Sequence, residues 1–236
     1  MTVRIVPVLG IPEVRAGDDL SMLIAGPILE AGVEPGAVVV VTQKIVSKAE
    51  GRVVSLEGTS RSAWIERETV RVVARRGDLV IAETRHGFVC ANAGVDASNV
   101  PEGSLCLLPE DPDGSAERLR ASLSSGLGVD VGVLVTDTFG RPWRQGVVNV
   151  AIGCAGLPVL VDLRGQADHH GRVLEATVVA LADELAAASG LVMQKAARIP
   201  VALVVGLERP EGPPGRASHL VRPPDDDLFP QGVVDP

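Results

Sequence analysis

The chain has 236 residues, 46% hydrophobic and 22% charged, which supplies enough apolar surface for a sizeable core and too much for a disordered polymer. A net charge of −8 and a pI near 5.0 argue against a nucleic-acid partner, and no apolar run approaches the roughly 20 residues that span a bilayer. The first residues, MTVRIVPVLG, lack a long apolar stretch followed by a cleavage site, so a cytoplasmic location is expected.

Val3 to Leu9 alternates loosely and predicts a strand, ended by Gly10 and by Pro12 in an extended turn over Ile11 to Val14. Asp18 or Asp19 can cap a helix over about Leu20 to Leu29, which Gly32 closes. Ala37 to Val41 is an unbroken apolar run, hence a strand buried on both faces, with Thr42 to Lys48 as its polar exit. Lys44 and Lys48 are four apart and share a side in strand or helix alike. Either they flank an anion such as a phosphate, or they are two solvated surface lysines. Trp64 to Arg76 carries helical periodicity and predicts a surface helix.

Leu79 to Ala82 predicts a short strand leading into ETRHGFVCANAGVDASNV. There Gly87 and Gly94 let the backbone pass close to a neighbour, and Asp96, Ser98 and Asn99 cluster oxygen donors into a candidate metal or nucleotide shelf. His86 reads as a hydrogen-bonded loop histidine, since no second ligand lies at metal spacing. Leu105 to Leu108 is another strand, and PEDPDGSAERLRASL is a helix capped by Asp113 or Ser115.

Val131 to Val135 is a second buried strand, and Thr136-Asp137-Thr138 is its polar exit before a Gly140-Arg141-Pro142 turn. A carboxylate flanked by hydroxyls and followed by Arg141 and Arg144 offers hard oxygens for a divalent cation beside guanidinium forks. The same residues also suit an Asx-turn with two solvated arginines. Val148 to Leu160 predicts close packing, with Gly153 and Gly156 at tight contacts. His169 and His170 sit in a polar loop and should point apart. Arg172 to Ser189 predicts a helix that Gly190 ends, Val201 to Val205 a strand, and 208–236 a surface tail.

Cys90, Cys106 and Cys154 are odd in number and widely spaced, so they read as core thiols rather than staples or zinc ligands. Aromatics are only 2% of the chain, which supplies a ring-stacking site poorly. Lys44, Lys48 and Lys195 are the only lysines among 22 basic residues. Strand ends carrying Lys44 and Lys48, Asp96 and Asn99, Asp137 and Thr138, and Gln194 and Lys195 suit phosphoryl transfer from a metal-bound nucleotide, where catalysis is mostly positioning and charge neutralisation. No P-loop, Rossmann glycine pattern or nucleophile elbow is present.

Taken together, IPEVRAGDDL, VVVVTQKIVSKAEGR, HGFVCANAGVDASNV, LLPEDPDGSAERLR, VTDTFGRPWRQG and the run ALADELAAASGLVMQKAARIPVALVVG resemble the CofE family, the coenzyme F420-0:L-glutamate ligases, including the ligase domain of FbiB. The resemblance runs from about Val3 to Phe229 and implies an α+β fold of two subdomains with mixed sheets, within one ligase domain over 1–236. It implies GTP-dependent addition of L-glutamate to coenzyme F420-0 or its dehydro form through an acyl phosphate, by a homodimer. It also implies two Mn²⁺ or Mg²⁺ ions with K⁺ assisting. By the same resemblance Ile11, Pro12, Glu13, Val14, Gln43, Lys48 and Asn99 hold GTP, while Asp96, Asp137, Thr138 and Gln194 ligate metal. Gln43 stands where many relatives carry Ser. Arg141 and Arg144 are candidates for orienting the acceptor carboxylate. A non-catalytic GTP- and metal-binding regulator and a metal-dependent phosphohydrolase are the alternatives.

Overall fold

The computed structural model describes residues 2–194 and 197–227. In chain order the elements are β1 (Arg4–Pro7), α1 (Leu20–Glu30), β2 (Val38–Thr42), α2 (Gln43–Ala49), β3 (Val53–Ser55), α3 (Arg61–Glu68), β4 (Thr69–Arg76), β5 (Leu79–Thr84) and β6 (Val89–Ala91). There follow β7 (Ser104–Cys106), α4 (Pro112–Leu127), β8 (Gly132–Arg141), β9 (Arg144–Ala155), β10 (Val161–Asp162), β11 (Val178–Val179), α5 (Leu181–Met193) and β12 (Val201–Val205).

Five strands form a mixed sheet in the order β1-β12-β2-β8-β9. β2 and β8 run parallel, from Val38 beside Gly132 to Thr42 beside Thr136, and the other neighbours are antiparallel. Both strands are interior and covered on two faces, which is why Val38 to Val41 and Val133 to Val135 are continuous apolar runs. The two-residue period then sorts them. Val39, Val41, Val133 and Val135 join a core with Ile24 and Ile28 of α1 and Leu119 and Leu123 of α4. Val38, Val40 and Leu134 join a second core with Leu181 and Leu185 of α5. A third, smaller core around Ile65, Val80, Ala82, Val95, Leu105 and Leu107 gathers α3 with the sheets β4-β5-β6 and β3-β7. The expected α+β class with mixed sheets is what the chain adopts.

Several expected elements differ, each for a packing reason. The polar exit over Thr42 to Lys48 is helical: α2 starts at Gln43, held by burial of Ile45 and Val46 and by the Ser47 hydroxyl donating 2.8 Å to Gln43 Oε1. The helix expected over Trp64 to Arg76 stops at Glu68, and Thr69–Arg76 becomes β4. The β-branched Thr69, Val70, Val72 and Val73 favour an extended chain, and β5 supplies the pairing partner. Asp111 caps α4 instead of Asp113 or Ser115, because Pro112 takes the first helical position, where its missing N–H is not needed.

The helix expected from Arg172 begins only at Leu181. Leu174 N instead donates to Gln166 O, and Val178 pairs with Asp162. Gly190 lies inside α5, not at its end; a Cβ there would sit 3.2 Å from Asn149 Nδ2, so glycine lets the helix approach β9. The His169 and His170 rings, expected to point apart, lie with centroids 3.7 Å from each other. The strand expected to end at Val135 runs on through Asp137 to Arg141, because β9 pairs with it along that whole length.

All three cysteines are free and buried. Arg209, at the start of the expected tail, turns inward: its guanidinium donates to Gly36 O, Ala37 O and Gly156 O and pairs with Asp130. Ala217 is fully buried. Residues 228–236 of that tail, and Lys195, lie outside the described residues.

The close contacts expected of Gly153 and Gly156 are present. A Cβ on Gly153 would fall 2.2 Å from Pro112 O, and a backbone carbonyl at a helix start cannot move aside cheaply. Gly153→Ala should therefore lower stability by about 2 kcal/mol, seen as a melting temperature about 6 °C lower. A melt unchanged within error would contradict the packing described.

Candidate active site

β2 passes directly into α2 at Thr42 and Gln43, so Lys44 and Lys48 lie one turn apart on one side of that helix. Each ammonium has its own carboxylate. Lys44 Nζ donates to Asp96 Oδ2, to Ser98 Oγ at 2.7 Å and to Ser98 O at 2.8 Å. Lys48 Nζ donates to Glu13 Oε1, which ties the Ile11–Val14 loop to α2. Both lysine side chains are mostly buried, at 16% and 12% exposure, so their charges act in a medium less polar than water. Val14 is buried beneath this loop, Ile11 packs against the main core, and Pro12 and Glu13 face outward.

Asp96 is delivered by a turn in which Asn92, Ala93 and Gly94 all have positive φ. At Gly94 a Cβ would meet Leu108 at 2.6 Å, so this position admits glycine only. Beyond it the Asp96 backbone pairs with Cys106, at 3.0 and 2.7 Å. The Asp96 carboxylate accepts from Ser98 N at 2.9 Å and from the Ser98 hydroxyl at 2.6 Å. Burial pushes its pKa up, but the Lys44 ammonium and the Ser98 donors outweigh burial and hold it below the usual carboxylate value. Asn99 closes the shelf, exposed and left-handed with φ of 55°.

Asp137 sits in mid-strand opposite Val150, and Thr138 opposite Asn149. Neighbouring side chains on a strand address opposite faces, so these two do not stand side by side. Asp137 acts toward the buried thiols. Burial, reinforced by the Asp137 charge, pushes Cys90 up to about 12. Burial also raises Cys106, while the Lys44 ammonium lowers it and the Asp96 and Asp137 charges raise it. The geometry behind the first two is direct: Lys44 is bonded to Asp96, whose backbone pairs with Cys106.

Thr138 faces the other way. Its hydroxyl donates to Asn149 Oδ1 at 2.9 Å, and Asn149 abuts Gly190 of α5. Gln194 follows one turn later, exposed, with φ of 23°. The four expected ligands therefore sort into Asp96 with Asp137 on one face of the hairpin, and Thr138 with the end of α5 on the other. Arg141 and Arg144 pair across the exposed hairpin tip, roughly 13 Å beyond Asp137 at a strand's rise per residue. Within one chain they are not brought to the two carboxylates.

Gln43 is buried and spends its carbonyl on Ser47, so it faces inward at the start of α2. His86 is the loop histidine expected, with Nε2 3.0 Å from Pro109 O and 3.1 Å from Glu110 O. The scarcity of lysine marks Lys44, but no local signal shows that Lys44 and Ser98 hold Asp96. Among the described residues no three His, Cys, Asp or Glu side chains gather as a metal cluster, so an ion here would also need neutral oxygen donors.

The fold and the site together define an α+β protein whose carboxylates and ammonium groups gather beside one end of a mixed sheet, with no glycine-rich phosphate loop. The model of the F420-0:gamma-glutamyl ligase family matches residues 9–206, and the chain belongs to that family. Curated relatives named coenzyme F420:L-glutamate ligase include one from Methanopyrus kandleri, 46% identical over 97% of this chain and 98% of its own length. Another, from Methanothermobacter thermautotrophicus, is 41% identical over 97% and 99%. A third, from Archaeoglobus fulgidus, is 42% identical over 88% and 89%. The chain is thus a member of a ligase family, and no helix among its described residues is long and apolar enough to cross a membrane.

Proposed function

We propose that this chain joins L-glutamate, through its amine, to the carboxylate of coenzyme F420-0 or its dehydro form, with GTP as the phosphoryl donor. The observation that carries this reading is the cluster of Lys44, Asp96 and Ser98, fastened to β7 by the backbone pairing of Asp96 with Cys106, in a member of this ligase family. The donor set fits hard divalent cations: Asp96 and Asp137 offer carboxylate oxygens, the Ser98 hydroxyl stands beside Asp96, and the Lys44 ammonium already fills a cation's place on Asp96. When bound, two Mn²⁺ or Mg²⁺ ions, with K⁺ assisting, would neutralise the outer phosphate oxygens of GTP.

The residues divide the work. Asp96 and Asp137 supply the anionic ligands, and Lys44 keeps Asp96 oriented while adding a positive charge; Thr138 and Gln194, on the other face of the β8–β9 hairpin, are not brought to these carboxylates within one chain. Ile11 to Val14, Lys48 and Asn99 hold the nucleotide, Gln43 braces the start of α2 from the inside, and Lys48 gives a point charge to the phosphates. An oxygen of the acceptor carboxylate attacks the γ-phosphorus and GDP leaves. The glutamate amine then attacks the resulting acyl carbon, losing a proton as phosphate departs. The cleft must keep water from the acyl phosphate meanwhile. Arg141 and Arg144 orient the acceptor carboxylate by reaching across to a second copy, which makes a homodimer the working unit in the cytoplasm.

The test is mass spectrometry of coenzyme F420-0 incubated with GTP, Mn²⁺ and L-glutamate. A glutamylated acceptor and GDP are expected. Phosphate release without glutamate incorporation would make the protein a phosphohydrolase, and GTP binding without any product would make it a regulator.

A further inference from the structure

A cleft of about 670 Å³ opens beside the β9 edge of the main sheet, between the β4-β5-β6 sheet and the segment Leu220 to Asp227. That volume suits a compact organic ligand. Its apolar walls are Phe88, Val89, Phe139, Val150, Leu220 and Val221, with Phe88 and Phe139 edge to face at 6.2 Å. In a chain with three phenylalanines and no tyrosine, two phenylalanines line one cleft.

Strand register brings the cleft's lining next to Asp137. Phe139 lies two residues past Asp137 on the same side of β8, about 7 Å along the strand, and Val150 is the residue directly opposite Asp137. Charged groups also stand around it. Arg71, bonded to Glu83 at 2.9 Å, and Arg222 bring guanidinium groups. Asp183 accepts from Ala151 N at 2.9 Å, and burial outweighs that bond and raises its pKa, leaving it more readily protonated than a surface carboxyl. An apolar slot with aromatic walls, polar groups around it and, in Val150, the cross-strand neighbour of Asp137 matches a flat heteroaromatic ring carrying an anionic tail.

We propose that this cleft holds the ring system of the deazaflavin acceptor, with its phosphate-bearing tail running along β8 toward Asp137. The proposal rests on the ligase reading above and adds the place and orientation of the acceptor. Val89 is the residue to alter, because it lines the cleft on a short edge strand and is 47% exposed, so a larger side chain there need not disturb the core.

Calorimetry should compare wild type, Val89→Trp and Val89→Ser, titrated with coenzyme F420-0 and with the deazaflavin riboside that lacks the phosphate-bearing tail. Val89→Trp should weaken binding of both by about tenfold or more, and Val89→Ser by about threefold, with GTP binding and melting temperature kept. Equal loss for both ligands places the ring, not the tail, in the cleft. Undiminished binding by a folded Val89→Trp that still glutamylates sinks the cleft assignment alone. A change of oligomeric state on Val89→Trp would also overturn it, by showing that a second copy covers the cleft. Wild type that neither binds nor glutamylates coenzyme F420-0 would instead bring down the ligase reading, and this proposal with it.

Discussion

Asp137→Asn is expected to cut glutamylation of coenzyme F420-0 by at least about a hundredfold, about 3 kcal/mol in transition-state stabilisation, and to leave the fold intact. The two side chains have nearly the same shape, so the hydrogen-bonded pairing of β8 with β9 opposite Val150 should survive. What disappears is one anionic oxygen of the two that the proposed ions require, and an amide oxygen replaces it poorly as a hard-cation ligand. The measurement is turnover at saturating GTP and Mn²⁺, with a thermal melt alongside; calorimetric Mn²⁺ affinity should fall in parallel. Wild-type turnover from this variant would remove Asp137 from any metal role.

The second large effect is on stability and comes from a residue outside the candidate site. Asp113 is buried, and its carboxylate accepts backbone N–H groups from Cys154 at 2.9 Å, Ala217 at 2.7 Å and Ser218 at 3.2 Å. Arg216 Nε adds an ion pair at 3.5 Å. One side chain at the start of α4 thus fastens β9 to the 217–220 turn, more than a hundred residues away in sequence. Asp113→Ala would leave those backbone donors without their acceptor, and an unsatisfied buried donor costs about 1–3 kcal/mol. A loss of about 4 kcal/mol is expected, and with it a melting temperature about 12 °C lower. Asp113→Asn keeps an oxygen and should lose roughly half as much. If Asp113→Ala melts within about 2 °C of wild type, this carboxylate is not the clasp described.

Much of the architecture could be read locally. The uninterrupted valines of β2 and the apolar start of β8 predict strands covered on both faces, and Val201 to Val205 is found as read. The start of α1 also follows from a local signal, since Asp19 accepts from Ser21 N and Met22 N. The misreadings have a common cause. Residues 69–76 carry helical periodicity, yet their state depends on β5; the end of β8 depends on β9; and Gly190 stays within α5 because Asn149 needs the room. In each case the deciding partner lies elsewhere in the chain, where a local pattern carries no trace of it.

The candidate site divides the same way. Residue chemistry and the family motifs are enough to single out the carboxylates at 96 and 137, the lysines after β2, and membership of a ligase family. They are blind to pairing. That Lys44 grips Asp96 from 52 positions away, that Lys48 grips Glu13, and that Asp137 and Thr138 address opposite faces are facts of folding. Side-chain direction and long-range charge neutralisation are set when strands find their neighbours, and only the assembled sheet determines which groups share a face.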